Sequence, residues 1–400
     1  VDLQKGGYPA RYGGRLSSVV DVTMREGNRE AFHGSGGISM IDSRLTLEGP
    51  ATEDITWMIA GRRVYLDWLV GALSDEALPY YFYDLLAKTN IRLGENDRLY
   101  FSGFFGRDVL SDGGTDSDFD ISWGNTAGNL RWTHVFGSTL FGSMSAVVSD
   151  YRFNTRARTD YDNGMFKIAT GILDYSLRAE AEYVPNPLHA LKLGAEATLH
   201  TFTSEASSIE NEFALLDQYL PSSRGTELSL YAQDEWKVSE QLTANIGGRL
   251  FWFDKSRSLR AEPRISAYYR FEEGTTLTGA VAGANQFLHL VSRNDLSLPT
   301  DMWFPSTSNI RPAWGMQYVL GAQRDFLENA WGVSVEVYYK TMENVLEFRD
   351  NARFSLFAPV ESEVTSGRGT AYGGELFVQK KLGSITGWIG YTLAWADRTF

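Results

Sequence analysis

The chain has 400 residues, of which 43% are hydrophobic and 14% aromatic, and a formal net charge of −13. That charge argues against a nucleic-acid partner, which would need a basic face, and the absence of cysteine removes disulfides and thiolate metal centres. No apolar run reaches the ~18 residues of a membrane helix, which leaves a membrane barrel open, because its strands hide their hydrophobicity in alternation.

The chain starts without Met and ends just after strand-like sequence, so it reads as a piece cut at both ends. Tyr8–Asn28 differs in character from the rest of the chain. Pro9 and the Gly13-Gly14 pair give turn chemistry, and Ser17-Ser18 is a small-residue step. Val19, Val20, Val22 and Met24 then make a strand that stops at Glu26-Gly27-Asn28. We read residues 1–29 as the end of one domain and 30–400 as a second.

From Phe32 onward the pattern is period 2. Leu191, Leu193, Ala195, Ala197 and Leu199 alternate with Lys192, Gly194, Glu196, Thr198 and His200. Leu173, Tyr175, Leu177, Ala179, Ala181 and Tyr183 alternate with Asp174, Ser176, Arg178, Glu180 and Glu182. Leu242–Trp252 sets Leu242, Ala244, Ile246, Gly248, Leu250 and Trp252 against Thr243, Asn245, Gly247 and Arg249, and Val333, Val335, Val337 and Tyr339 oppose Ser334, Glu336 and Lys340. A helix cannot bury such a pattern. Many of these strands run past ten residues, above the ~5–6 typical of soluble sheets and in keeping with the ~9–11 of a tilted membrane strand.

Short connections fall near Pro50–Asp54, Gly94–Arg98, Gly137-Ser138, Pro185–His189, Ser239–Gln241, Glu272–Thr275, Leu327–Ala330 and Leu382–Ser384. Longer, more polar ones are expected near Val70–Tyr81, Ser111–Ile121, Arg156–Met165, Ser204–Gly225, Ser292–Arg311 and Asn351–Gly367. Such sorting suits an outer-membrane barrel with short periplasmic turns and long outer loops. Phe136, Tyr183, Trp236, Phe271 and Trp331 sit beside short turns, as an interfacial girdle requires. Counting gives roughly 16–17 strands, an all-β antiparallel transmembrane β-barrel that is incomplete.

Ala10–Gly27 (ARYGGRLSSVVDVTMREG) resembles the end of the plug domain of TonB-dependent outer-membrane receptors. Phe32–Pro50, Gly61–Asp67 (GRRVYLD), Gln233–Trp236 (QDEW) and Thr370–Phe377 (TAYGGELF) resemble successive barrel strands, most closely in receptors of Bacteroidetes-like bacteria. The resemblance implies a 22-stranded, plugged barrel in the bacterial outer membrane, of which residues 1–29 would be a plug remnant. It implies as partners a TonB-type energy-transducing protein, outer-membrane lipid and lipopolysaccharide, and a small-molecule or oligomeric ligand. No cofactor is expected.

As the resemblance suggests, one of Arg11 and Arg15 would pair with lumen carboxylates and hold the plug; the alternative is a solvated turn charge. Glu180, Glu182, Glu196 and Glu336 lie on the matching face. Gly13 and Gly14 serve a tight turn or a close approach. Asp174, Arg178, Glu180, Glu182, Lys192, Glu196 and Glu336 are lumen-facing candidates. Tyr80, Tyr81, Phe82, Trp303 and Phe304 are outer-loop candidates for stacking on a ligand, with packing of loop on loop as the competing role. Asp112, Asp116, Asp118 and Asp120 form an acidic loop that would at best hold Ca²⁺, without EF-hand spacing. The five histidines show no H-x-x-x-H spacing and there is no G-x-S-x-G, so no catalytic residue is assigned. These features point to energy-dependent uptake of a bulky, scarce ligand such as a siderophore, cobalamin, oligosaccharide or peptide. A passive or gated porin, or an outer-membrane adhesin or hydrolase, are the alternatives.

Overall fold

The computed structural model describes residues 2–67, 80–113, 117–159, 164–209, 215–291, 302–349 and 360–400. Near the start, β1 (Asp2–Gln4) and β2 (Val19–Asp21) pair antiparallel, with Leu3 opposite Val20. A long antiparallel series comes next: β3 (His33–Ile38), β4 (Asp42–Thr52), β5 (Ile55–Val64), β6 (Tyr80–Arg92), β7 (Asp97–Gly113) and β8 (Ser117–Val135). It continues through β9 (Leu140–Thr159), β10 (Gly164–Asn186), β11 (His189–Ile209), β12 (Leu215–Lys237), β13 (Leu242–Phe253), β14 (Ser258–Arg270) and β15 (Thr276–Gln286). A small hairpin, β16 (Leu288–Val291) and β17 (Met302–Pro305), interrupts the series before β18 (Ala313–Phe326), β19 (Trp331–Phe348), β20 (Val364–Lys380) and β21 (Gly387–Thr399).

Consecutive strands pair along the chain, with β15 pairing β18 across the inserted hairpin, so 17 strands form one continuous sheet. Although the strand order places β21 beside β3, no residue register joins them among the described residues, and the sheet is not closed. Among the described residues no helix is long and apolar enough to cross a membrane.

Alternation assigns the faces. In β13, Leu250 and Trp252 are exposed, whereas Phe251 and Phe253, which alternate with them, are buried. Leu177, Leu193, Leu199, Leu230, Ile265 and Leu320 are likewise exposed on the outward face. A contiguous apolar exterior of this size is unfavourable in water and is what a lipid-facing wall requires. Outward aromatics mark its two borders. Tyr183 and Trp331 lie by the short turns, with Tyr175 and Tyr339 eight residues away on the same strands, or about 26 Å along each strand. At the usual strand tilt of ~40° this rises about 20 Å, somewhat under the ~25 Å apolar band of such barrels.

All the expected short turns are present, and Phe253–Ser258 is a further one, at the opposite end. The expected long loops need correcting. Strands β7, β8, β9, β10, β11 and β12 run into them, so that Ser111 pairs with Asp120, Arg156 with Lys167 and Glu205 with Tyr219. The ladder of backbone hydrogen bonds outlasts the membrane, because it needs no apolar face to continue.

Candidate functional site

Between β1 and β2 the chain crosses the inward face of the sheet without joining its ladder. Its buried backbone groups therefore need side-chain partners, and the wall supplies them. The Ala10 N–H donates to Gln233 Oε1 at 2.7 Å, and the Leu16 N–H to Gln286 Oε1 at 3.3 Å. Carbonyl oxygens of Arg11, Leu16 and Met24 accept from Arg249 Nη1 (2.7 Å), Lys340 Nζ and Lys88 Nζ (2.7 Å) respectively. Side chains add to these links: Lys5 pairs with Glu375, Arg25 with Glu48 at 3.1 Å, and Glu26 accepts from Asn90 at 2.7 Å. The contacts reach strands from β4 to β20, so one short segment ties much of the wall together.

Local sequence explains how the segment fits. Tyr12 N–H returns to Pro9 O at 3.0 Å, closing a turn, and Gly14 has φ +76, which a side chain disfavours. Gly13 lies against the wall: a Cβ there would meet the Phe251 ring at 2.7 Å and Arg249 Cδ at 2.9 Å. Tyr8 is 2% exposed and Ala10 0%. The Tyr8 hydroxyl donates to Arg15 O at 2.8 Å, and burial pushes its pKa up to about 12 against the pull of Arg264, whose guanidinium stacks on the ring at 4.6 Å.

Beneath the segment the wall is a charge network. Arg249, almost fully buried, donates to Glu196 Oε2 at 2.7 Å and Ser229 Oγ at 2.6 Å, and stacks over Phe251 at 4.6 Å. Arg178 meets the other oxygen of Glu196 at 2.8 Å. Glu262 is buried between Arg264 (2.9 Å) and the Asn285 N–H (2.5 Å). Buried charges of this kind persist only when paired and hydrogen-bonded.

Of the residues singled out in the sequence, Arg11 comes to Glu180 at 4.0 Å, and Glu180 also accepts from the Tyr231 hydroxyl at 2.6 Å. Arg15 lies near Glu227 and Asp174. Burial lowers its pKa and those two acids oppose the shift. Glu336 sits apart, across the register from Glu375, with Lys5 nearby. Lys192 lies opposite Glu182 and within 3.8 Å of Glu235. Asp174, Arg178, Glu180, Glu182, Lys192 and Glu196 share the inward face. Sequence reasoning did not mark Arg249, Glu262, Arg264, Gln233 or Gln286 as contacts of this segment, although Gln233 opened the QDEW motif. Arg249 stood in a recognised alternation and was within reach of that signal.

The expected aromatic ligand loop is corrected. Tyr80, Tyr81 and Phe82 are not in a loop: they open β6 and pair with Leu110, Val109 and Asp108. Tyr80 donates to Asp108 at 2.6 Å and stacks on Trp123, while Phe82 lies under Arg62. Trp303 and Phe304 belong to β17, on the β16–β17 hairpin that folds inward. Trp303 packs with Ile172, Phe202 and Leu288 and lies 5.5 Å from the Arg15 guanidinium, and Phe304 packs against Ile310 and Val364. Among the described residues, no ring contact joins the two aromatic groups. For the acidic loop, Asp116 and the side chains of Asp112 and Asp118 lie outside the described residues, while Asp120 is exposed opposite Ser111 and Arg156.

The hairpin carries His289, whose Nε2 lies 2.9 Å from Ser306 Oγ. Burial, with the Arg15 charge adding to it, pulls the His289 pKa down to about 4. Ser306 is 0% exposed, so this pair offers no nucleophile to a substrate.

No curated protein is significantly similar to the chain in sequence. Solved structures share its fold at low identity. The ferripyoverdine receptor of the outer membrane of Pseudomonas aeruginosa is 14% identical, with a TM-score of 0.66, over 96% of this chain and 58% of that one. The siderophore receptor PirA from Acinetobacter baumannii is 14% identical, with a TM-score of 0.70, over 98% and 66%. The outer membrane transporter YddB from Escherichia coli is 9% identical, with a TM-score of 0.68, over 99% and 64%. The chain thus spans under two thirds of the length of each of these structures. Residues 58–400 match the family described as TonB dependent receptor-like, beta-barrel. With its apolar exterior and aromatic borders, this is a β-barrel of the bacterial outer membrane, and the chain belongs to the TonB-dependent receptor family.

Proposed function

We propose that this chain forms most of the barrel, with the end of a plug, of a receptor that takes up a scarce, bulky ligand using energy from the inner membrane. In this reading residues 1–29 are the plug remnant and 30–400 the barrel. The observation that carries it is the segment Tyr8–Gly27, held inside the wall by buried side chains that answer its backbone. A passive porin has no use for such fastenings, because a segment clamped across its lumen obstructs diffusion. An adhesin has no use for a charged, partly wet interior. In this reading the protein does no bond chemistry, and the His289–Ser306 pair is sealed.

The receptor's partners are a TonB-type protein, which would remodel the plug, and a ligand of the siderophore, cobalamin, oligosaccharide or peptide kind. Siderophore receptors among the structural neighbours favour a metal chelate. Tyr80, Tyr81 and Phe82 at the outer end of β6, and Trp303 on the inward hairpin, are its proposed contacts. Lipid and lipopolysaccharide cover the outer wall. The test is uptake by cells carrying the full-length gene, measured with a panel of ferric chelates. Saturable uptake that stops when a protonophore is added supports the reading. Unsaturable uptake indifferent to the protonophore refutes it and favours a porin.

A further inference from the structure

On the inward wall, one imidazole stands between two carboxylates. His200 of β11 lies across the register from Asp174 of β10, and Thr198, next on the same face, lies opposite Glu227 of β12. The ring is only 5% exposed. Its Nδ1 is 2.7 Å from Asp174 Oδ1. Its Nε2 is 3.9 Å from Glu227 Oε2 and has no hydrogen-bond partner among the described residues. The rings of Phe202 and Phe253 lie beside it, with centroids at 5.9 and 6.2 Å. A neutral imidazole has one N–H to give, and here Asp174 takes it. A second proton would make Nε2 a donor aimed at Glu227, and a small movement of that side chain would complete the bond.

The same two carboxylates face Arg15 of the inner segment. Among the described residues Arg15 makes no ion pair. Its guanidinium donates to Gly14 O at 2.9 Å, lies over the Trp303 ring, and is balanced by Glu227 and Asp174 at longer range. Its attachment to the wall is therefore electrostatic and answers to any new charge nearby. The other charged groups around this point are fixed or distant from the exchange. Arg249 of β13 is committed to Glu196 of β11 at 2.7 Å. Asp254, after β13, reaches over Gly225, which lies opposite His200. His289 of the hairpin feels the Arg15 charge but stays neutral down to about pH 4. Two acids against one arginine leave a surplus negative charge while His200 is neutral, and a proton on His200 cancels it.

We propose that His200 is a proton-operated catch on the inner segment: on taking up a proton it draws Glu227 and Asp174 to itself, repels Arg15, and loosens residues 14–17 from the wall. Wall and segment respond in opposite senses. An imidazolium between two carboxylates tightens the contact of β10, β11 and β12, while the arginine it displaces lets go. General acid damage would loosen both. Imidazole is the side chain that changes charge between about pH 5 and 8, so the catch answers to mildly acid surroundings. In the transport reading, a plug held this way is easier to displace there. The catch itself concerns only how the segment is held, and stands apart from what the receptor carries.

The test is hydrogen exchange of the full-length receptor in detergent at about pH 8 and about pH 5, with the intrinsic dependence of exchange on pH divided out. Coupling between sites spans about 5- to 150-fold, and on acidification the protection of amides 14–17 should fall about ten-fold. That of amides 198–202 should hold or rise. His200→Gln keeps a donor for Asp174 but takes up no proton, and should abolish the response at 14–17. Arg15→Gln should abolish it too. Glu227→Gln removes the same unit of charge that the proton cancels, so its protection at the higher pH should resemble that of the wild type at the lower. His289→Gln should respond as wild type. Equal protection of wild-type residues 14–17 at both pH values overturns the proposal. So does an undiminished response in His200→Gln, or loss of protection at 198–202 in step with 14–17. If His200→Gln does not fold, Arg15→Gln leaves every wall side chain in place and decides the matter, since a response persisting there also overturns it. Uptake is read separately, so its failure would refute the transport reading and leave the catch intact.

Discussion

Replacing Arg249 with Met tests whether the wall holds the inner segment. The guanidinium makes three short hydrogen bonds, to Arg11 O, Glu196 and Ser229, from an almost fully buried position. Methionine fills comparable volume but donates nothing. A hydrogen bond to a charged group is worth about 1.5–3 kcal/mol, so losing the one to Arg11 O alone should open the segment 10- to 100-fold more often. Losing the pairing with Glu196 should add to a whole-protein cost of about 3–5 kcal/mol, lessened because Arg178 still holds that carboxylate at 2.8 Å. Hydrogen exchange of amides 8–16, followed by mass spectrometry in detergent, reads the local effect. Arg249→Lys should rescue little, since an ammonium cannot span the same acceptors in a plane. Adding Glu196→Gln to the Met variant should restore part of the global stability but none of the segment's protection. If residues 8–16 exchange at wild-type rates in Arg249→Met, the segment is held by something other than this node, and the account is wrong.

The other predictions concern the segment, the hairpin and the faces. Gly13→Ala should push the segment off Phe251 at a cost of about 1–3 kcal/mol, seen as faster protease cleavage within residues 8–28; unchanged cleavage would deny the close approach. His289 has its pKa lowered to about 4 by burial, against about 6.5 when unfolded. The stability it contributes is thus fully present above about pH 6.5 and lost as pH falls through about 4, on the order of 3 kcal/mol. Tryptophan fluorescence should show the hairpin loosening over that window in wild type and far less in His289→Gln; parallel curves would refute the assignment. In bilayers, cysteines replacing Lys192 or Glu196 should label with aqueous reagents, whereas those replacing Leu193 or Ala195 should not. The reverse result would invert the faces.

The barrel was legible because its signal is local. Leu191–His200 declares two faces within ten residues, and every short turn breaks such a run. Legibility failed where that local constraint lapses. Past the membrane no face must be apolar, so the alternation fades at Ser204 although β11 continues to Ile209. The turn at Asp254–Arg257 contains neither Gly nor Pro and went unseen. The site failed for another reason: its partners are remote in sequence. Nothing near Ala10 announces Gln233, and nothing near Leu16 announces Gln286 or Lys340. The glycines were the exception. Gly13 and Gly14 marked a close approach through what they lack, though not the wall they approach.

The eight-residue interval from Tyr175 to Tyr183, repeated from Tyr339 to Trp331, also fixes a mechanical property. At the usual strand tilt of ~40°, about 26 Å of strand rises only about 20 Å along the bilayer normal. A hydrocarbon layer ~30 Å thick must thin around such a wall, at a fraction of a kcal/mol per Å of mismatch. The protein therefore carries its own preference for thin membranes. Short-chain lipids should accept it faster and hold it flatter than long-chain ones, and molecules of it in a thick bilayer should drift together to share the deformed ring of lipid between them.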